Sequence, residues 1–166
     1  MMETNKTDKD ILVKGWVKSL RKSKAFCFIV LNDGSAQKDL QIIADESLAG
    51  YEEFTKCLTG SSLSINGKLV ESGGKQPIEL QATSVEVLGT TPQEYPLQKK
   101  GTSMEFLRDI AHLRPRTNVF GAVFRVRHEL AQATHKFFSD KGFYYLNTPV
   151  LTAMDAEGAG ELFRVS

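Results

Sequence analysis

The sequence predicts a mainly β domain, a five-stranded barrel with a helix after its third strand, followed by an incomplete α/β domain built on one long helix and a strand. Three observations carry this prediction. Residues 11–88 consist of short apolar runs, several alternating every second residue, separated by turn residues. Residues 89–104 hold two prolines, two glycines near their ends and no periodic apolar face, the composition of a linker. Residues 105–166 open on helical spacing, with Val119, Val123, Val126, Leu130, Ala133 and Phe137 recurring every three or four positions.

Taken in order, residues 11–19 place Ile11, Val13 and Val17 on one side and Lys14 and Lys18 on the other, a half-buried strand. Residues 25–31 are apolar and end at Asn32-Asp33-Gly34-Ser35, a turn signal that makes a hairpin with 40–44. Leu48, Tyr51, Phe54 and Leu58 share helical spacing, so a short helix is expected over 47–58. Residues 63–70 and 78–88, joined by Glu71-Ser72-Gly73-Gly74-Lys75, complete the five strands. This order is that of the OB-fold, whose closure removes the two sticky edges an open sheet would expose. An SH3-like barrel is the competitor, and a helix at that place argues against it.

Beyond the linker, residues 105–113 read as a short helix stopped by Pro115. Thr117 or Asn118 can cap the long helix, and Gly142 can end it in a left-handed conformation. At ~1.5 Å per residue it would run roughly 35 Å, either as a core helix or as one that also packs on a partner chain. Residues 143–150 alternate and read as a strand, with Pro149 favouring an edge. Residues 162–165 look like the start of another. These elements cannot bury their apolar faces alone, so the second domain reads as truncated.

Composition narrows the function. Of 166 residues, 41% are hydrophobic and 25% charged, which excludes a collagen-like, mucin-like or wholly disordered chain. No run approaches the ~18 residues a membrane-spanning helix needs, so no membrane partner is expected. The polar start shows no secretory signal. Cys27 and Cys57 lack metal-ligand spacing and read as buried, reduced thiols of a cytoplasmic protein. Net charge is +1, with 11 Lys and Arg against 12 Asp and Glu up to residue 88. Phosphate binding must therefore rest on a local cluster.

One such cluster exists. Lys14, Lys18, Arg21, Lys22 and Lys24 have no acidic residue among them, and residues 21–24 are expected in the loop between the first two strands. There they can neutralise phosphates and release counterions, although a solvated basic face is the plainer reading. Phe26 and Phe28 share one strand face while Cys27, Ile29 and Leu31 share the other. An exposed ring on such a face can stack a base, with Gln41 or Glu79 reading base edges; core packing of both rings is the plainer alternative. Trp16 is read as core. His112, His128 and His135 form no metal set, and Glu157 and Glu161, in a loop of small residues, point only weakly to an amine or cation site.

The segments Gly15-Trp16-Val17, Ser23-Lys24, Phe28-Ile29-Val30-Leu31-Asn32-Asp33-Gly34-Ser35 and Leu40-Gln41 resemble the anticodon-binding barrel of class II aminoacyl-tRNA synthetases of the aspartyl, asparaginyl and lysyl group. Residues 112–123, from His112-Leu113-Arg114-Pro115-Arg116 to Gly121-Ala122-Val123, are closest to the asparaginyl members. Lys141-Gly142-Phe143 through Thr148-Pro149 resembles the group's motif 1, and Glu157-Gly158-Ala159-Gly160-Glu161 its mobile loop beside the amino-acid pocket.

The resemblance implies an asparagine–tRNA ligase that activates asparagine with ATP and Mg2+ and charges tRNA(Asn) as a homodimer in the cytoplasm. It implies that Phe28 stacks on the central anticodon base, a uridine, that Gln41 reads that base, and that Glu79 lies near an outer one. Arg21 and Lys24, with Lys22 in the same cluster, would contact the RNA backbone. Pro149 would join Val119, Val123 and Val126 at a dimer interface, and Glu157 would engage the substrate's α-ammonium group. The group's motif 2 and motif 3, with their ATP-binding arginines, would lie beyond Ser166. The chain alone is thus expected to hold no catalytic residue, to bind neither ATP nor Mg2+ tightly, and to be inactive. Two alternatives remain: a free-standing OB-fold nucleic-acid-binding module whose long helix pairs two barrels, and an aspartyl-tRNA synthetase, one that charges both tRNAs included.

Overall fold

A computed structural model describes residues 9–74, 76–98 and 101–151. Five strands, β1 (Asp10–Lys22), β2 (Phe26–Asn32), β3 (Leu40–Asp45), β4 (Ser62–Glu71) and β5 (Ile78–Gly89), close into a barrel in the order β1-β2-β3-β5-β4. All neighbours run antiparallel except β3 and β5, which meet in parallel at Ile42–Leu80 and Ile43–Gln81. The two-residue alternation does the sorting: Cys27, Ile29 and Leu31 of β2, Ile42 and Ala44 of β3, Leu63 and Ile65 of β4 and Leu80 of β5 turn inward and are buried.

Helix α1 (Tyr51–Phe54) is one turn, where the spacing predicted 47–58. Residues before it are taken up by a turn in which the Ser47 N–H donates to the Asp45 carboxylate at 2.9 Å, and Gly50 enters the helix at φ +75°. What the helical spacing marked is a plug: Tyr51 and Phe54 pack edge to face in the core, with Phe54 fully buried. The Asn32–Ser35 turn forms as expected, with Gly34 at φ +85° and its N–H on the Asn32 amide oxygen at 2.7 Å. Gly67 matters for closeness: a Cβ there would collide with the Gln81 carbonyl of β5.

Strand β1 runs farther than expected, to Lys22, and carries a bulge. Val17 pairs with Leu31 but Ser19 pairs with Val30, leaving Lys18 between them. The extra residue flips the later alternation. Leu20 joins Val17 against the core, and Arg21 swings to the outer face. Trp16, read as core, is instead on the outer face and 42% exposed, with the Arg116 guanidinium 4.9 Å above its ring.

The predicted helix over 105–113 divides into α2 (Met104–Asp109), capped by the Ser103 hydroxyl, and a 3-10 turn at Arg114–Arg116 that contains Pro115 rather than stopping before it. Thr117, in extended conformation, caps α3 (Asn118–Asp140) by accepting the Phe120 N–H at 3.4 Å. The far end closes as a Schellman motif on Gly142 at φ +84°. There Gly142 donates to Ser139 and Phe143 to Phe138, and the Phe138 and Phe143 rings meet at 5.6 Å. The chain divides into two compact units between Phe124 and Arg125.

Residues 143–150 form no strand. A strand exists only through hydrogen bonds to a neighbour, and no other strand among the described residues lies beside them. Tyr144 and Val150 are accordingly exposed. Among the described residues, no helix is long and apolar enough to cross a membrane.

Candidate nucleic-acid interface

The outer face of the barrel brings four of the predicted residues together. Cross-strand pairing aligns Arg21, Phe28 and Ile43 in one row across β1, β2 and β3, and Ser19, Val30 and Gln41 in the next. Phe28 is half-buried, with the Arg21 guanidinium 5.2 Å from its ring centroid. That contact depends on the β1 bulge, since unbroken alternation would aim Arg21 inward. Because β5 lies beside β3, Glu79 reaches Gln41, whose side-chain amide donates to it at 3.4 Å. The Glu79 carboxylate, nine-tenths buried, also accepts the Ser72 hydroxyl at 2.9 Å. An apolar floor of Phe28, Val30 and Ile43 is thus bordered by a guanidinium on one side and an amide–carboxylate pair on the other. Such a surface suits a planar base above and a phosphate beside it.

Of the remaining basic residues, Lys24 sits exposed in the tight turn between β1 and β2, where the Ser23 N–H donates to the Phe26 carbonyl at 2.8 Å. Arg21 and Lys22 belong to β1 itself, not to the loop in which they were expected. Lys22 bonds Glu52 at 2.9 Å and lies 5.2 Å from the Tyr51 ring, so it is held by α1 and not beside Phe28. Its ammonium is raised and the Glu52 carboxyl lowered from their ordinary values, mainly by that hydrogen bond. Lys18, at the bulge, turns to the segment after the barrel, donating to the Arg116 carbonyl at 2.9 Å and the Asn118 side chain at 3.1 Å. Gln37 donates to the Asn118 carbonyl at 2.8 Å, and Arg116 to the Tyr95 hydroxyl at 3.0 Å.

Sequence reasoning missed Ser72, Val30 and Ile43. Val30 and Ile43 were findable, because alternation from Phe28 and Gln41 puts them on the same face. Ser72 was not, because its partner is set by the bend between β4 and β5. On α3, Val119, Val123 and Val126 are exposed along one stripe, and Pro149 is exposed outside any regular element. Glu157 lies outside the described residues.

Comparison with known proteins places these features in a lineage. OB-fold nucleic acid binding domains match residues 11–88, and class II tRNA synthetases (D, K and N) match residues 103–166. Asparagine–tRNA ligase from Parabacteroides distasonis is 58% identical over 156 residues, 93% of this chain and 33% of that protein. Its counterpart from Desulfitobacterium hafniense is 57% identical over 160 residues, 96% of this chain and 35% of that one. Among solved structures, asparaginyl-tRNA synthetase from Pyrococcus horikoshii complexed with asparaginyl-adenylate superposes with a TM-score of 0.85 at 21% identity, covering 100% of this chain and 41% of that one; this is a likeness of fold. The chain spans about a third of the length of the relatives it matches. With both matches in register with the barrel and the helix that follows it, the chain belongs to the class II tRNA synthetases of the aspartyl, lysyl and asparaginyl group.

Proposed function

We propose that this chain is the anticodon-reading and dimer-forming part of an asparagine–tRNA ligase. The single observation that carries the reading is Phe28, an aromatic ring on the outside of the barrel, with Arg21 on one flank and Gln41 and Glu79 on the other. A base unpaired in a loop stacks on Phe28, worth about 1–3 kcal/mol. Gln41 reads its edge, and Arg21 and Lys24 take the flanking phosphates. Identity of 56–58% to asparagine–tRNA ligases over more than nine-tenths of the chain supports asparagine as the amino acid.

On this reading the whole ligase forms the asparaginyl adenylate with ATP and Mg2+, then esterifies tRNA(Asn), in the cytoplasm and as a homodimer. The α3 stripe of Val119, Val123 and Val126, with Pro149, is part of the dimer surface, and Glu157 holds the substrate's α-ammonium. Among the described residues no three His, Cys, Asp or Glu side chains gather in a way that could hold a divalent cation.

The test is binding of RNA hairpins whose loop carries GUU, against hairpins substituted at the middle position. The expected outcome is a clear preference for the uridine-centred loop, lost in Phe28→Ala. Equal affinity whatever the middle base would make this a general single-strand-binding module instead.

A further inference from the structure

Gln41 carries an amide that can present either its donor or its acceptor end to a base, and its neighbours decide which. The neighbour is a carboxylate, which offers only lone pairs, so the amide nitrogen must face Glu79; the 3.4 Å contact has that arrangement. Glu79 is held in turn. Its Oε2 also accepts the Ser72 hydroxyl at 2.9 Å, and that hydroxyl accepts the Gly74 N–H at 3.1 Å, so its one proton is directed at Glu79. The Ser72 backbone N–H is fixed on the Pro77 carbonyl at 3.1 Å. A hydrogen-bond chain thus runs from the bend between β4 and β5 through Ser72 and Glu79 to Gln41, two residues across from Phe28 on the same face.

We infer that Ser72 and Glu79 are positioning residues that lock Gln41 as a hydrogen-bond acceptor toward the base on Phe28, so that the barrel selects bases with an imino N–H on their pairing edge, uracil over cytosine. The inference rests on the base-binding reading above and gives Glu79 a role other than direct contact with an outer base. Uracil turns its N3–H to the Gln41 carbonyl. Cytosine turns a lone pair to the same oxygen, leaving two acceptors facing one another at a cost of about tenfold in affinity. Without Glu79 the amide can rotate to offer its NH2 to cytosine, and the discrimination disappears.

The experiment measures affinities of the chain for two hairpins that differ only by uridine or cytidine at the centre of the loop. The unsubstituted chain is expected to prefer uridine by about tenfold. Glu79→Met, of similar size but unable to accept from the Gln41 amide, should bring the ratio to within about twofold of unity while uridine-loop binding persists through stacking. Ser72→Ala, at a half-buried position where folding is not at risk, should lower the ratio partway. In a Gln41→Glu background, Glu79→Met should leave the ratio unchanged, because a carboxylate accepts from either oxygen. Coincident melting curves of Glu79→Met and the parent establish that the fold is intact. A ratio unchanged by Glu79→Met but abolished by Gln41→Ala overturns the positioning role. Absence of any uridine preference in the unsubstituted chain, with Phe28→Ala silent, overturns the base-binding reading itself and this inference with it.

Discussion

Two regions of this molecule carry apolar residues at regular spacing and meet opposite fates. In the barrel, Cys27, Ile29, Ile42, Ala44, Leu63, Ile65 and Leu80 are completely buried. Along α3, Val119, Val123, Val126 and Leu130 stand exposed, and no residue of the helix is buried. Both elements are nonetheless well formed. Caps and local hydrogen bonds are enough to define a helix, whereas burial needs an opposing surface, which a closed barrel supplies to each strand from the others. Each large apolar side chain left in water forgoes about 1.5–3 kcal/mol, so the α3 stripe has a strong drive to be covered.

That contrast can be broken at its strongest point. Phe54→Ala removes the fully buried plug and should destabilise the barrel by about 3–5 kcal/mol in equilibrium denaturation; a loss below about 1 kcal/mol would mean that α1 is not part of the core. Next comes the outer aromatic. Phe28→Ala should leave the denaturation midpoint nearly unchanged yet weaken hairpin binding by about 1–3 kcal/mol, and the reverse pattern would return Phe28 to the core. On the helix side, Gly142→Ala forces a side chain into the left-handed region and should cost about 1 kcal/mol. It should be read as lost helical ellipticity with the barrel's transition unmoved, and a shift of the barrel's transition would contradict the division into two units.

A further effect, absent at neutral pH, is a pH dependence confined to the barrel. Burial pushes the Cys27 thiol up to about 11 from its ordinary value near 8.5. Between those values the unfolded chain releases the proton while the folded chain keeps it. The Cys27 contribution is therefore complete below about pH 8.5 and is lost as pH rises through about 11. Cys27→Ala should flatten that alkaline limb of the stability curve, and an identical limb in both proteins would assign it elsewhere.

Much of this was legible in the residues. The alternation of β2 separated Phe28 from Ile29 correctly, and Gln41 and Glu79 were named for the chemistry of their side chains before their adjacency was known. Trp16 was not legible, because an aromatic in a strand reads as core until a guanidinium is found above it. Nor was the division of labour among the basic residues: Lys22 is held by Glu52, Lys18 by the segment before α3, and only Arg21 reaches Phe28. These partners lie from 7 to 100 positions away along the chain, and no local pattern encodes them. Residues 143–150 failed as a strand for the same reason, since strand pattern is local but strand existence is not.

By itself the sequence determined the number and order of the barrel strands, the inward face of each central strand, the turn at Gly34 and both ends of the long helix. All of these follow from spacing and backbone preference within a few residues. The tertiary structure alone decided the bulge that turns Arg21 outward, the parallel contact of β3 with β5 that brings Glu79 to Gln41, and the bend that sets Ser72 on Glu79. Those depend on which strands become neighbours, and that is settled only when the barrel closes and buries its core.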